Sequence, residues 1–267
     1  MLRHTNTYKT KRYGGIVPLL NTIIALLLLI FIPVHGQISA EDFQQRITNS
    51  PWQDEWLWLD QELDSFGLWQ WHRTPSPKGL LIIFHGPGQH ADWPDLIRNI
   101  RLELPRSGWA TFSVQLPANL SQDQVNRLIN QALQQGAERN ILNTALMAVG
   151  AQSNQVLSFG VNQAPRLDNF GLYFISYYWQ PLEGFDAADL MGRLQYPLLD
   201  IWHGNDWHRV QAVQRRGAAT RRQNPNYLQI ENTHPPARTG VQADRDMRRV
   251  WGWLQSNSQG TEARRAN

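Results

Sequence analysis

The sequence predicts an α/β protein, a mostly parallel, twisted sheet with helices on both faces. Three observations predict it. Leu80 to Phe84 is an unbroken apolar run, as a strand buried on both faces requires. That run stops at once in His85, Gly86, Pro87 and Gly88, a turn of backbone-permissive residues. Apolar runs of strand length then alternate with stretches of helical period down the rest of the chain.

The elements follow in order. Trp52, Trp56, Trp58 and Leu59 begin the packed region, and Phe66 to His72 alternates as a strand. Thr74 to Pro77 turns the chain into the buried strand at Leu80. Asp92 offers an N-cap, with Pro94 at the first helical position. Leu96, Ile97, Ile100 and Leu104 carry that helix, and Pro105 and Gly108 close it. Trp109 to Leu116 reads as a strand ended by Pro117. Ser121 opens a helix with Val125, Leu128, Ile129, Ala132 and Leu133 on one face. Ile141, Leu142, Ala145, Leu146 and Val149 keep the helical period, so a second helix is expected over 138–151. Val156 to Gly160 and Leu172 to Tyr178 read as strands. Asp186 to Leu194 is helical, Pro197 to Trp202 a strand, and Arg209 to Arg222 an arginine-rich helix. Tyr227 to Ile230 is the last strand and Asp244 to Leu254 the last helix.

The first 36 residues read as a leader. Arg3, Lys9, Lys11 and Arg12 make a basic start with no acidic residue, and Ile16 to Val34 is apolar apart from Asn21 and Thr22. Val34-His35-Gly36 suits a signal peptidase; the alternative is an uncleaved anchor in the inner membrane, facing the periplasm. A polar lead-in at 37–50, an α/β domain at 51–255 and a loose tail at 256–267 complete the organisation. The whole chain holds 25 Lys+Arg against 22 Asp+Glu, but 21 against 22 remain beyond the leader. The basic balance therefore belongs to the targeting segment and argues against a nucleic-acid partner. The absence of cysteine excludes disulfides, thiol catalysis and cysteine-based zinc sites.

The loop ends hold the chemistry. A serine hydrolase on such a sheet places its nucleophile on a tight turn after a buried strand, then an acid, then a histidine after the last strand. Asp206 follows the strand ending at Trp202, and His234 follows the strand ending near Ile230. The expected nucleophile turn, after Val156 to Phe159, reads Gly160-Val161-Asn162-Gln163-Ala164. Asn162 would stand at the apex, and its delocalised amide cannot be made to attack a carbonyl. Only Pro165 to Phe170 separate this turn from the next strand, so the helix behind it is expected to be shortened. Asp206 and His234 then read as relic acid and base positions, held as a structural hydrogen-bonded pair. The loop His85, Gly86, Pro87 and Gly88 reads either as an oxyanion-type cradle or as a plain tight turn.

Other constellations are weaker. His85, His90, His203, His208 and His234 fall at one expected sheet edge and form an alternative zinc set, without any recognised ligand spacing. No cofactor is expected. Trp52, Trp56, Trp58, Trp69 and Trp71 suggest a platform for a glycan or an envelope protein, or simply core. Arg215, Arg216, Arg221 and Arg222 suggest a solvated helix face, or one turned to anionic glycans or lipid headgroups.

The stretches H-G-P-G-Q-H-A-D-W-P, L-P-R-S-G-W-A-T and S-V-Q-L-P between Gly79 and Pro117 are similar to those of an exported proteobacterial family of the α/β-hydrolase superfamily, domain-of-unknown-function family 3530. The resemblance covers most of residues 50–255. It implies an α/β-hydrolase-like fold, an exported, periplasmic location and an elbow that often carries glycine in place of serine. With Asn162 at the elbow and a shortened helix, this chain departs further. The expected role is non-catalytic, binding a small molecule, a glycan or an envelope protein. The alternative is an esterase-like hydrolase with a displaced nucleophile or a metal-activated water.

Overall fold

The computed structural model describes residues 54–94, 96–204, 206–222, 224, 226–232 and 240–258. All lie in the larger of the two units into which the chain divides, Ser39–Asn267. Eight strands form one sheet: β1 (Glu55–Asp60), β2 (Ser65–Gln70), β3 (Gly79–Phe84), β4 (Trp109–Val114), β5 (Asn143–Val149), β6 (Gly171–Tyr177), β7 (Leu198–His203) and β8 (Tyr227–Asn232). Their spatial order is β1-β2-β4-β3-β5-β6-β7-β8. β2 runs antiparallel to β1 and β4, and every other pairing is parallel. Among the described residues, six α-helices accompany the sheet: α1 (Leu96–Glu103), α2 (Gln122–Glu138), α3 (Gln152–Asn162), α4 (Ala187–Arg193), α5 (Asp206–Arg221) and α6 (Gly240–Asn257).

The strand residues alternate between two cores, because successive side chains leave opposite faces of a sheet. Leu80, Ile82, Phe84, Phe112, Leu146 and Phe174 pack under α2, α3 and α4. Leu81, Ile83, Met147, Ile175 and Ile201 pack under α1 and α6. Arg215 of α5 reaches Asp200 of β7, which places α5 on the first face. Helix ends are satisfied locally. Ser121 and Gln124 form a reciprocal capping box at α2, and the Asp186 carboxylate accepts from the Ala188 and Asp189 amides at α4.

Two expected elements exchange identities. Residues 143–149 form β5, where the spacing predicts helix, and Val156 to Gly160 lie inside α3, where it predicts strand. A strand buried on both faces is apolar at every position, so it satisfies a helical template by accident. α3 has the opposite problem: Ser153 to Gly160 are all buried, which erases the polar stripe that marks a helix. The true boundary is a Schellman closure of α2. Asn140 adopts a left-handed φ of 58°, its amide donates to Ala137 O, and the Ile141 amide donates to Gly136 O.

The first crossover also differs from expectation. α1 begins at Leu96, and the Asp92 carboxylate accepts from the Arg98 and Arg101 side chains. The tryptophans do not form one platform. Trp69 and Trp71 share one face of the sheet, with the Arg139 guanidinium 4.7 Å and 5.8 Å from their rings. Trp56 and Trp58 lie on the other face, where Trp56 stacks on Phe66 at 3.7 Å. Trp52 lies outside the described residues.

Candidate functional site

The chain steps from β3 to β4 on one side and then to β5 on the other. The carboxyl ends of β3 and β5 therefore flank the point where strand order reverses, the usual site of ligand crevices in open α/β sheets.

On the β3 side, His85 and Gly86 lead into a tight turn. Pro87 and Gly88 occupy its centre, Gly88 at φ +74°, and the Gln89 amide donates to Gly86 O at 3.1 Å. Proline second and glycine third is what a type II turn requires. The Gly86 amide donates to the Gln89 side-chain oxygen at 2.9 Å, and Pro87 has no N–H to give. His85 is buried and fixed at both nitrogens. Its Nε2 accepts from the Leu116 amide at 2.9 Å, so the proton sits on Nδ1, which donates to Gly86 O at 2.9 Å. Burial pushes its pKa down to about 4, against a weaker opposing effect of the Gly86 carbonyl. These hydrogen bonds are those of a tight turn, and they occupy the Gly86 amide.

On the β5 side, the strand passes into α3 through Val149, Gly150 and Ala151. Gly150 adopts φ +63°, its amide donates to Tyr177 O at 2.9 Å, and its carbonyl accepts from the Ser153 amide at 3.3 Å. This is a sharp strand-to-helix turn with glycine at its apex. A Cβ at Gly150 would meet nothing nearer than Gln180 Oε1, at 3.6 Å. The two loops abut, since a Cβ on Gly86 would lie 3.1 Å from Val149 O. The nearest serine, Ser153, is buried and donates its hydroxyl to Ala148 O at 3.0 Å. Asn154 is equally occupied, donating to Ala151 O and Gln180 O and accepting from Trp179 Nε1.

Beyond β6 the wall is a buried polar network. Tyr178, at φ +51°, accepts from Asn232 Nδ2 at 2.7 Å. Asn232 also donates to Asp246 of α6, which accepts from Tyr177 Oη and Arg249. Burial and the Asp246 carboxylate hold both phenols protonated, Tyr178 with its pKa raised to about 12. This network fastens α6 to the ends of β6 and β8.

The expected site residues separate. Asn162 is the last residue of α3, roughly 17 Å along the helix from the turn, and its amide donates to Ser158 Oγ. It is not at a strand-to-helix apex, and α3 spans 11 residues, so the helix is not shortened. Asp206 is the first residue of α5, directly past β7, and His234 lies outside the described residues. In the alternative zinc set, His85 has both nitrogens committed to the backbone, and His90 Nδ1 accepts from the Asp92 amide. His203 ends β7 and His208 lies in the first turn of α5. Among the described residues, no three His, Asp or Glu side chains come together as a metal site. Arg215, expected on a solvated or anion-facing surface, is instead buried against Asp200. A cleft of about 750 Å³ opens at the opposite sheet edge, beside Val161, Pro165, Arg193, Tyr196 and Arg222. Among the described residues, no helix is long and apolar enough to cross a membrane.

Sequence reasoning missed Gly150. The available signal was Ala148-Val149-Gly150-Ala151, a glycine between small residues directly after an apolar run.

Strand order, the antiparallel β2 and the glycine turn together define an α/β-hydrolase fold, and solved structures agree. An esterase from Pyrococcus furiosus aligns with a TM-score of 0.60 at 10% identity, covering 80% of this chain and 93% of its own. A predicted CIB-like hydrolase from Thermoplasma acidophilum aligns at 0.55 and 13% identity, over 76% of this chain and 98% of its own. Est1E from Butyrivibrio proteoclasticus aligns at 0.56 and 10% identity, over 76% and 98%. Within that fold class, residues 37–140 match the family described as protein of unknown function (DUF3530). No curated protein matches the sequence significantly.

Proposed function

We propose that this protein is an exported, non-catalytic binding or accessory protein built on an α/β-hydrolase scaffold. The observation that carries the reading is Gly150. α/β-Hydrolases expose their nucleophile on a sharp turn between a central strand and the helix behind it. The β5–α3 turn has that form, and its apex residue has no side chain. The neighbouring loop supports the same reading. The Gly86 amide is taken by Gln89 and Pro87 has none, so neither is free to stabilise an oxyanion. Ser153 is turned inward and cannot replace the lost hydroxyl. A hydrolase scaffold without its nucleophile keeps the strand-order reversal between β3 and β5, the position where open α/β sheets bind ligands, and binding is what that position can still do. The leader supports export to the periplasm.

The test is a fluorophosphonate probe together with a panel of short-chain and aryl esters on purified full-length protein. The expected result is no covalent adduct by mass spectrometry and no turnover above buffer. An adduct on any residue of the crevice, or ester turnover that tracks protein concentration, overturns the reading.

A further inference from the structure

We propose that the outward face of α5 docks on an anionic lipid surface. α5 carries the crossover from β7 to β8, and its inward face is closed by Ala212, Arg215, Ala218 and Ala219, all buried. At 100° per residue the opposite face centres on Val210, Val213 and Gly217, with Asp206 in the same register at the start of the helix and Trp207 at the margin. Val210 is 56% exposed, Val213 52% and Trp207 50%. A crossover helix that faces only water places its charges there, and β-branched residues at such positions lower helix propensity without any packing in return. Trp207 is braced in place by a parallel stack on the buried Trp179, with ring centroids 6.4 Å apart and planes 8° apart.

Charge selects the occupant. The rim of this face is Arg209, Arg216 and Arg221, all exposed, and the Arg221 guanidinium lies across Gly217. Arg209 has Glu231 at 3.6 Å; among the described residues no carboxylate lies within ion-pair distance of Arg216 or Arg221. A second copy docked about a two-fold axis would set the same arginines against each other, because both subunits present the same patch. A bilayer rich in anionic lipid pairs with the arginines while its interface receives tryptophan and valine. The basic and apolar leader brings the chain to a membrane in the first place.

The chain has no cysteine, so a single introduced one reports one position. Full-length Val210→Cys, labelled with a solvatochromic dye, is mixed with vesicles of equal parts phosphatidylglycerol and phosphatidylcholine, or of phosphatidylcholine alone. The leader, apolar and basic, can itself tether the chain to vesicles and prefers anionic ones, so the α5 face is read by the Arg216→Glu/Arg221→Glu variant and the Glu62→Cys label, which keep the same leader. The expected result is a blue shift on the anionic vesicles only, lost in Arg216→Glu/Arg221→Glu, and absent from a label at Glu62→Cys on the far sheet edge. An unshifted label on anionic vesicles overturns the proposal, as does an equal shift on neutral ones. A shift without vesicles that grows with protein concentration overturns it in favour of self-association.

Discussion

Gly150 and His85 sit on abutting loops, and each is explained by what its backbone needs. Gly150 takes a left-handed φ at a turn where the space beside it is open, so conformation rather than crowding favours the missing side chain. His85 is a brace, one nitrogen for the β4 end and one for its own loop. Its protonation is therefore a stability matter. The folded protein holds the ring neutral down to about pH 4, whereas the unfolded chain takes up a proton below the ordinary value of 6.5. Between those limits the unfolded state binds more protons, so stability falls as pH falls. The full effect is about 3 kcal/mol, at about 1.4 kcal/mol per pKa unit. Urea unfolding at pH 7 and pH 4.5 should show this loss in the wild type and a flatter profile in His85→Gln. Equal slopes in the two proteins would remove His85 from the account.

At the scale of elements, α5 is held to the sheet by charge on one face and leaves Val210, Val213 and Trp207 exposed among arginines on the other. Asp200 of β7 is wholly buried and accepts from Arg215 Nε at 3.0 Å, Tyr227 Oη at 2.8 Å and Gln229 Nε2 at 2.9 Å. The Arg215 guanidinium also lies 4.9 Å from the Trp179 ring. One carboxylate thus joins β7, β8 and α5. Removing a single partner of a buried pair leaves an uncompensated charge, which costs about 3–5 kcal/mol. Arg215→Met should lower stability by that amount in urea titration, and adding Asp200→Asn should recover part of it. A loss within about 0.5 kcal/mol, the range of ordinary surface changes, would mean the pair carries no weight.

At the scale of the whole molecule, eight strands and two cores are assembled without a disulfide, and the chain is expected to reach the periplasm through its leader. Alkaline phosphatase fused after Ser258 should be active in cells, because it matures only in an oxidising compartment. Deleting residues 1–36 should abolish that activity. Equal activity from the deleted form would show that the leader does not direct export.

The α/β class is legible in the sequence alone, because alternating apolar runs and helical stretches leave few other ways to bury so much apolar surface. The sequence also placed β3, β4, β6, β7 and β8 and the helix start at Ser121, where local chemistry and tertiary environment agree. It named His85 to Gly88 as a special loop, but not which hydrogen bonds that loop makes. The register of β5 and α3 came from the three-dimensional packing, and with it the finding that the sharp strand-to-helix turn lies at Gly150 while Asn162 ends α3. The physical reason is burial: a strand sealed on both faces and a helix sealed all round lose the polar stripe that tells one period from the other, and only the neighbours that seal them settle the matter. The same holds for the arginines of α5, where one turns inward to Asp200 and its neighbours stay outside.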